Sequence, residues 1–457
     1  MNDPARRAAL DCVLAVEVDG AYANLAMPGI LRQAKLRGRE AAFATELAYG
    51  TLRMSGLYDA VIARAANRKP DSLELPVRAI LWLGAHQALS MSTPQHAAVS
   101  ETVDLAKAVN LGRASGLVNA VMRRIVERDL DAWLAVVAPG NGRTAVATRH
   151  SHPEWIVAEL ERSLAARGRA GEVEQLLAAH NVPAAVTLVA RPGLVDRDEL
   201  ARLTGGVPTP LSPYGVTLES GSPGGLADVE AGRAGVQDEG SQIVAAVMAS
   251  ELAKPLAAGE RWLDACAGPG GKTALLGALG ASNGARLDAV ELHDHRVRLI
   301  EQNVRALPVG AVDVFAGDST QWTGGPYDRI LLDAPCTGIG ALRRRPESRW
   351  RRSADSLEEL TALQTGLLRH AGELLAPGGV IAYVTCSPVI AETTDVIAAS
   401  GLRSIDVRPA VADVTGTAAE AWGAGPDVQL WTHVHGTDSM YLALLARGPE
   451  VGAVESS

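Results

Sequence analysis

From Gln237 onward, short β-prone runs alternate with helix-length stretches, and this alternation constrains the fold more than any other feature. The runs are 261–266, 285–292, 312–316, 327–333 and 380–385; the intervals include helical stretches at 272–279, 294–306 and 357–375. Strands separated by helices pair in parallel, because a parallel neighbour needs a crossover too long for a hairpin. Such a sheet is covered on both faces and binds its ligands beyond the carboxyl ends of its strands. The predicted class for this part is therefore α/β and Rossmann-like.

Two different textures precede it. Residues 1–140 read as helices in series at 4–18, 40–67, 74–90, 95–109 and 113–128, each with an apolar stripe opposite Arg or Glu, the pattern of a small bundle. Pro139-Gly140-Asn141-Gly142 supplies a linker. Around 150–230 a helix at 153–166 precedes a strand at 185–190 and Gly/Pro-rich loops, which predicts a small α+β connector. A chain of 457 residues accommodates three such parts, with expected limits 1–140, 141–234 and 235–450.

Charge and cysteine content narrow the functional classes. The net charge is −9, yet residues 1–140 hold 16 Lys and Arg against 14 Asp and Glu. That balance excludes coating of nucleic acid by bulk charge and leaves room for a local basic face. The longest apolar stretches, such as 242–249, fall far short of a membrane span, and the first residues lack a signal pattern. Cys12, Cys266, Cys336 and Cys386 are too widely spaced for a disulfide framework or a zinc site. The expectation is a cytoplasmic protein with no membrane segment and no metal.

The chemistry-bearing motifs all fall at strand ends. Asp264-Ala265-Cys266-Ala267-Gly268-Pro269-Gly270-Gly271-Lys272-Thr273 joins the first strand to its helix. A phosphate-binding Walker loop requires glycine where Cys266 stands, and the dinucleotide fingerprint requires glycine where Thr273 stands. The remaining D-x-x-x-G-x-G pattern is the usual loop of S-adenosylmethionine-dependent methyltransferases. Glu291 ends the second strand, placed to accept both hydroxyls of a ribose. Asp318 follows the third, where it either accepts from an adenine amino group or caps the next segment. Leu332-Asp333-Ala334-Pro335-Cys336-Thr337-Gly338 and Val384-Thr385-Cys386-Ser387-Pro388 then place two cysteines at the ends of two strands of one sheet.

Taken together, these motifs resemble the Sun/Fmu family of RNA cytosine-C5 methyltransferases over roughly residues 235–447, with Gln237-Asp238-Glu239-Gly240-Ser241-Gln242 at the entry to the domain. Residues 41–53, 78–88 and 114–125 resemble the NusB-type RNA-binding helical domain, an appendage typical of the bacterial enzymes of this family that act on small-subunit ribosomal RNA. The resemblance implies a multidomain protein: an all-α helical RNA-binding domain, a small α+β connector and an α/β Rossmann-like class I methyltransferase domain. It implies S-adenosylmethionine as cofactor, held by Asp264, Cys266, Ala267, Gly268, Pro269, Gly270, Gly271 and Lys272 together with Glu291, Asp318 and Asp333. It assigns the nucleophile to Cys386, resolution of the covalent adduct to Cys336, and contact with the cytosine N3 edge to Asp333. Lys272 would orient Asp333 or favour a thiolate.

C5 of cytosine is a poor nucleophile. A thiolate adding to C6 breaks the conjugation and loads electron density onto C5, which is why the chemistry needs a cysteine in an electropositive site. The base must also be unstacked or flipped; the resemblance implies RNA as the partner, and a monomer is expected. Residues 342–352 contain six arginines and Trp350, and Arg343, Arg344, Arg345, Arg349 and Trp350 are the candidate RNA contacts. Two departures from the family pattern concern substrate contacts: Glu392-Thr393 stands where Glu-Asn is common, and Gly436-Thr437-Asp438-Ser439-Met440-Tyr441 lacks an aromatic pair. Three other readings stay open: the same chemistry on transfer RNA, a non-catalytic RNA-binding or antitermination-like protein on this scaffold, and a DNA cytosine methyltransferase whose nucleophile would be Cys336.

Overall fold

The computed structural model describes residues 3–219, 221 and 223–448. It divides into two compact units, one of Met1–Pro183 with Leu342–Ser353 and the other of Ala184–Ala341 with Ala354–Ser457. The segment 141–234 is thus shared: its helices Arg143–Arg149, Glu154–Ala166 and Val173–His180 belong to the first unit, and its strands, with the helices Arg197–Thr204 and Ala227–Glu230, belong to the second. Residues 449 and 450, the end of the expected catalytic domain, lie outside the described residues.

The first unit is helical, and the predicted segments appear as Pro4–Asp19, Gly38–Ala66, Leu75–Leu89, Gln95–Ala108 and Ser115–Ile125. Asp3 caps the first helix by accepting from the backbone N–H groups of Ala5 and Arg6. Leu75–Leu89 is the bundle's centre, with Ile80, Leu81 and Leu83 fully buried. Each such side chain contributes about 1.5–3 kcal/mol on burial, so this largely apolar helix takes the centre, with Arg78 paired to Asp59 and Asp71 on its outer side. Within residues 1–140, two α-helices lay outside the sequence reading. Ala23–Gln33 contains Pro28 and starts after Tyr22 without a side-chain cap, and Leu130–Val137 follows within five residues of Ile125.

The second unit carries two sheets. Strands β1 (Thr187–Ala190), β2 (Val207–Pro208), β3 (Gly215–Thr217) and β4 (Ala234–Val236) form a small antiparallel sheet in the order β2-β3-β1-β4. The large sheet contains β5 (Arg261–Asp264), β6 (Arg286–Glu291), β7 (Val312–Ala316), β8 (Tyr327–Asp333), β9 (Leu375–Thr385), β10 (Arg403–Ile405), β11 (Val428–Gln429) and β12 (Tyr441–Ala446). Its order is β10-β12-β9-β8-β5-β6-β7, with β11 paired to β12. From β7 to β9 all neighbours are parallel, as the alternation predicted; β12 enters antiparallel between β9 and β10. Strand order reverses at β5, whose neighbours are β6 and β8, and that reversal opens a crevice at the carboxyl ends.

The motif 237–242 joins the two sheets. Glu239 Oε1 accepts from the backbone N–H groups of Leu211 and Ser212, and Gln242 links Ser212 Oγ to Leu188 O. Asp238 caps the helix Glu239–Ala249. These bonds tie the small sheet to the first helix of the large one.

Candidate active site

The loop after β5 is shaped by its glycines. Gly270 has φ +102°, and a Cβ there would lie 2.8 Å from Ile300 Cα, so only glycine turns the chain into the helix Gly271–Ser282. A Cβ on Gly268 would overlap the Glu291 carboxylate, whose Oε2 accepts from Gly268 N at 3.0 Å. Asn303 Nδ2 donates to Pro269 O at 2.9 Å, and Thr273 Oγ1 donates to Asp264 Oδ2 at 2.7 Å. Thus side chains of Glu291 and Asn303 hold the loop through its backbone.

Asp264 is 1% exposed, and burial pushes its carboxyl up to about 7, with the Thr273 hydroxyl opposing and the Asp333 charge adding to the rise. A carboxyl raised above its unfolded value stabilises the fold at low pH, and that contribution is lost as pH climbs through the folded value. Between about pH 4 and 7 the protein should therefore lose up to about 4 kcal/mol of stability relative to Asp264→Asn. Denaturant unfolding of both proteins across that window measures the difference; parallel pH profiles would refute it.

Glu291 is buried at the end of β6 and more heavily engaged than the sequence indicates. Its Oε1 accepts from His293 N at 3.0 Å, and Arg296 Nη1 pairs with Oε2 at 3.1 Å. Arg296 also donates to Gly268 O. Asp318 accepts from Thr320 N at 2.9 Å and Thr320 Oγ1 at 2.7 Å, both at Oδ1, which is the capping geometry.

At the next two strand ends the chemistry converges. Lys272 Nζ donates to Asp333 Oδ2 at 2.7 Å. Burial, the largest effect on Lys272, pulls its pKa down, but Asp333 and the Cys386 charge outweigh it and the net shift is upward. Lys272 is therefore a fixed cation. Parallel pairing sets Asp333 against Val384, and Ala334 N donates to Val384 O at 2.9 Å, so the turns after β8 and β9 lie side by side. The Cys336 and Cys386 sulfurs are 3.3 Å apart. The hydrogen bond with Cys386 and then burial push the Cys336 thiol well up, with the charges of Cys386, Glu392 and Asp333 acting the same way. Cys266, by contrast, is pushed up chiefly by burial. It is a neutral thiol in the loop after β5. Cys12 is buried in the helical unit, where burial pushes it up to about 12.

The arginine-rich segment needs correction. Leu342–Ser353 belongs to the helical unit, and Arg349 is fully buried there. Its Nη1 lies 3.2 Å from Arg53 O, 2.9 Å from Ser151 O and 2.9 Å from Asn181 Oδ1. A guanidinium so enclosed cannot also neutralise a phosphate, so Arg349 is a staple and not an RNA contact. Trp350 is 43% exposed, but one edge lies on Gly56, where a Cβ would come within 2.4 Å of its ring. Arg345 is exposed and stacks on Tyr22 at 4.9 Å. Arg343 and Arg344 are half-buried and engaged. Among the described residues, no helix is long and apolar enough to cross a membrane, and no cluster of ligating side chains could hold a metal.

Comparisons with known proteins converge on both units. Residues 252–446 match the model of the family described as 16S rRNA methyltransferase RsmB/F, and residues 3–127 match that of the NusB family. A putative methyltransferase of Mycobacterium tuberculosis is 46% identical, with 97% of each chain covered. The ribosomal RNA small subunit methyltransferase B of Pseudomonas putida is 33% identical over 88% of this chain and 91% of its own. The solved structure of PH0851 shares the fold, with a TM-score of 0.79 at 20% identity, covering 98% of this chain and 99% of its own.

Proposed function

Since the chain belongs to the RsmB/F family of 16S rRNA methyltransferases and is an S-adenosylmethionine-dependent RNA methyltransferase with a NusB-family domain, we propose that it forms 5-methylcytosine in small-subunit ribosomal RNA through a covalent adduct on Cys386. The observation that carries this reading is the pair of sulfurs 3.3 Å apart at the ends of adjacent parallel strands, next to the Lys272–Asp333 ion pair. The residues present fit the cofactor. Gly268 and Gly270 open the loop backbone, Glu291 and Asp318 supply carboxylates at the ends of β6 and β7, and Asp333 borders the reacting end. When bound, S-adenosylmethionine supplies an electrophilic methyl group that C5 can take, with S-adenosylhomocysteine left behind.

The protein's own groups do the rest. Cys386, as thiolate beside the Lys272 cation, forms the S–C6 bond; the C5–C6 electron pair moves towards C5, and N3 takes a proton from solvent and donates it in a hydrogen bond to the Asp333 carboxylate. Once the Cys386 sulfur is committed to C6, the Cys336 thiol 3.3 Å from it is released from their hydrogen bond. It then gives its proton to solvent and becomes the base that removes the C5 proton. The S–C6 bond breaks, the thiolate returns to Cys386, and N3 releases its proton.

The helical domain favours ribosomal over transfer RNA, since the NusB match covers residues 3–127. Bisulfite sequencing of RNA from a strain lacking the gene tests this. One small-subunit cytosine should lose its methyl group and regain it on complementation. Loss from a transfer RNA alone would overturn the substrate assignment.

A further inference from the structure

The two cysteine turns share a buried clamp. Glu392 is fully buried on the short helical turn Ile390–Glu392, after the second cysteine motif. Its Oε1 accepts from Thr337 N at 2.7 Å and Gln364 Nε2 at 3.1 Å, and its Oε2 accepts from Thr337 Oγ1 at 2.5 Å. Thr337 directly follows Cys336, and its Oγ1 lies 3.1 Å from Ser387 Oγ, the residue directly following Cys386. Gln364 Nε2 also donates to Pro335 O at 2.8 Å, on the other side of Cys336. The Glu392 backbone is itself anchored, because Tyr383 of β9 donates its hydroxyl to Glu392 O at 2.8 Å.

All three side-chain bonds run towards the carboxylate, which acts only as an acceptor. Burying such a group is costly unless donors surround it, and a purely structural corner could be filled more cheaply by apolar packing. What this arrangement adds is direction. One rigid acceptor fixes the residue after Cys336 from two atoms and, through Thr337 Oγ1, reaches the residue after Cys386.

We propose that Glu392 is a positioning residue that sets the spacing and aim of the Cys336 and Cys386 sulfurs, with Thr337 and Gln364 as its arms. The inference rests on the reading of the two cysteines above. Misplacing a reacting group by about 1 Å costs on the order of 10²-fold in rate, so the clamp should act on bond formation and not on cofactor binding.

The test uses the full chain and a small-subunit ribosomal RNA transcript made with 5-fluorocytidine. Fluorine at C5 cannot leave as a proton, so each addition by a thiolate followed by methyl transfer is trapped. Glu392→Gln keeps size and places an amide where the Thr337 hydroxyl needs an acceptor. It should slow adduct formation at saturating RNA about 10²-fold, with S-adenosylmethionine affinity by calorimetry within about twofold of wild type. Thr337→Val should slow it likewise, and Thr337→Ser, which keeps the hydroxyl, should restore the rate. Wild-type rates in both Glu392→Gln and Thr337→Val overturn the proposal. So does a slowing matched by an equal loss of cofactor affinity or folded fraction, without rescue by serine. Absence of any adduct with the wild-type chain would instead strike down the cysteine assignments, and this inference with them.

Discussion

Replacing Cys336 by alanine is expected to stop the enzyme after one methyl transfer with protein and RNA still joined. The expectation follows from the division of labour between two sulfurs 3.3 Å apart. Cys386 can still add to C6 and C5 can still be methylated, because neither step needs the second sulfur. Elimination does need a base at C5, and Cys336 supplies a sulfur 3.3 Å from that of Cys386. The complex should therefore accumulate to about one equivalent, resist denaturing gel electrophoresis and require S-adenosylmethionine. Alanine removes one polarizable atom from a half-buried site, a loss of about 1 kcal/mol, so the fold should persist. Multiple turnovers without a denaturant-stable complex would remove Cys336 from the mechanism.

Cys386→Ala should have the opposite phenotype. Without the thiolate, C5 keeps its aromatic character and cannot take the methyl group, so turnover should fall by about 10⁴-fold or more and no covalent complex should form. Cofactor affinity should hold, because the loop 264–272 belongs to the ends of β5 and its helix. Methyl incorporation into small-subunit RNA and calorimetric titration with S-adenosylmethionine separate the two effects. This variant also distinguishes the account from the DNA-methyltransferase arrangement. If Cys386→Ala kept its activity and Cys336→Ala lost the ability to form any adduct, the roles of the two residues would be exchanged.

Much of this site was legible before the fold was known, because each group lies at or just beyond the end of a strand whose apolar run can be read. Asp264, Glu291 and Asp333 end β5, β6 and β8, and Cys386 follows β9 directly. Short-range patterning fixes the strand, and parallel winding brings all the ends to one edge. Long-range partners were not legible. Six arginines in 342–352 look like a solvated basic loop, and only the fold shows that Arg349 meets carbonyls contributed by Arg53 and Ser151, 296 and 198 residues away. Glu392 stood out only as a departure in its neighbour, since Thr337 is 55 residues distant. The same holds for Arg296, which claims part of the Glu291 carboxylate from the next helix. Strand β12 was missed as well. Its fully buried run fits a strand or a core helix, and nothing local says that it inserts antiparallel beside β9.

The covalent link itself offers the most direct test of the central claim. The complex formed by Cys336→Ala with S-adenosylmethionine and small-subunit RNA can be digested with protease and nuclease and its cross-linked peptide sequenced by mass spectrometry. The account predicts a single peptide carrying a methylated cytosine nucleotide on Cys386. A cross-link through Cys266 or Cys12, or full methylation of the RNA with no cross-link at any residue, would contradict it.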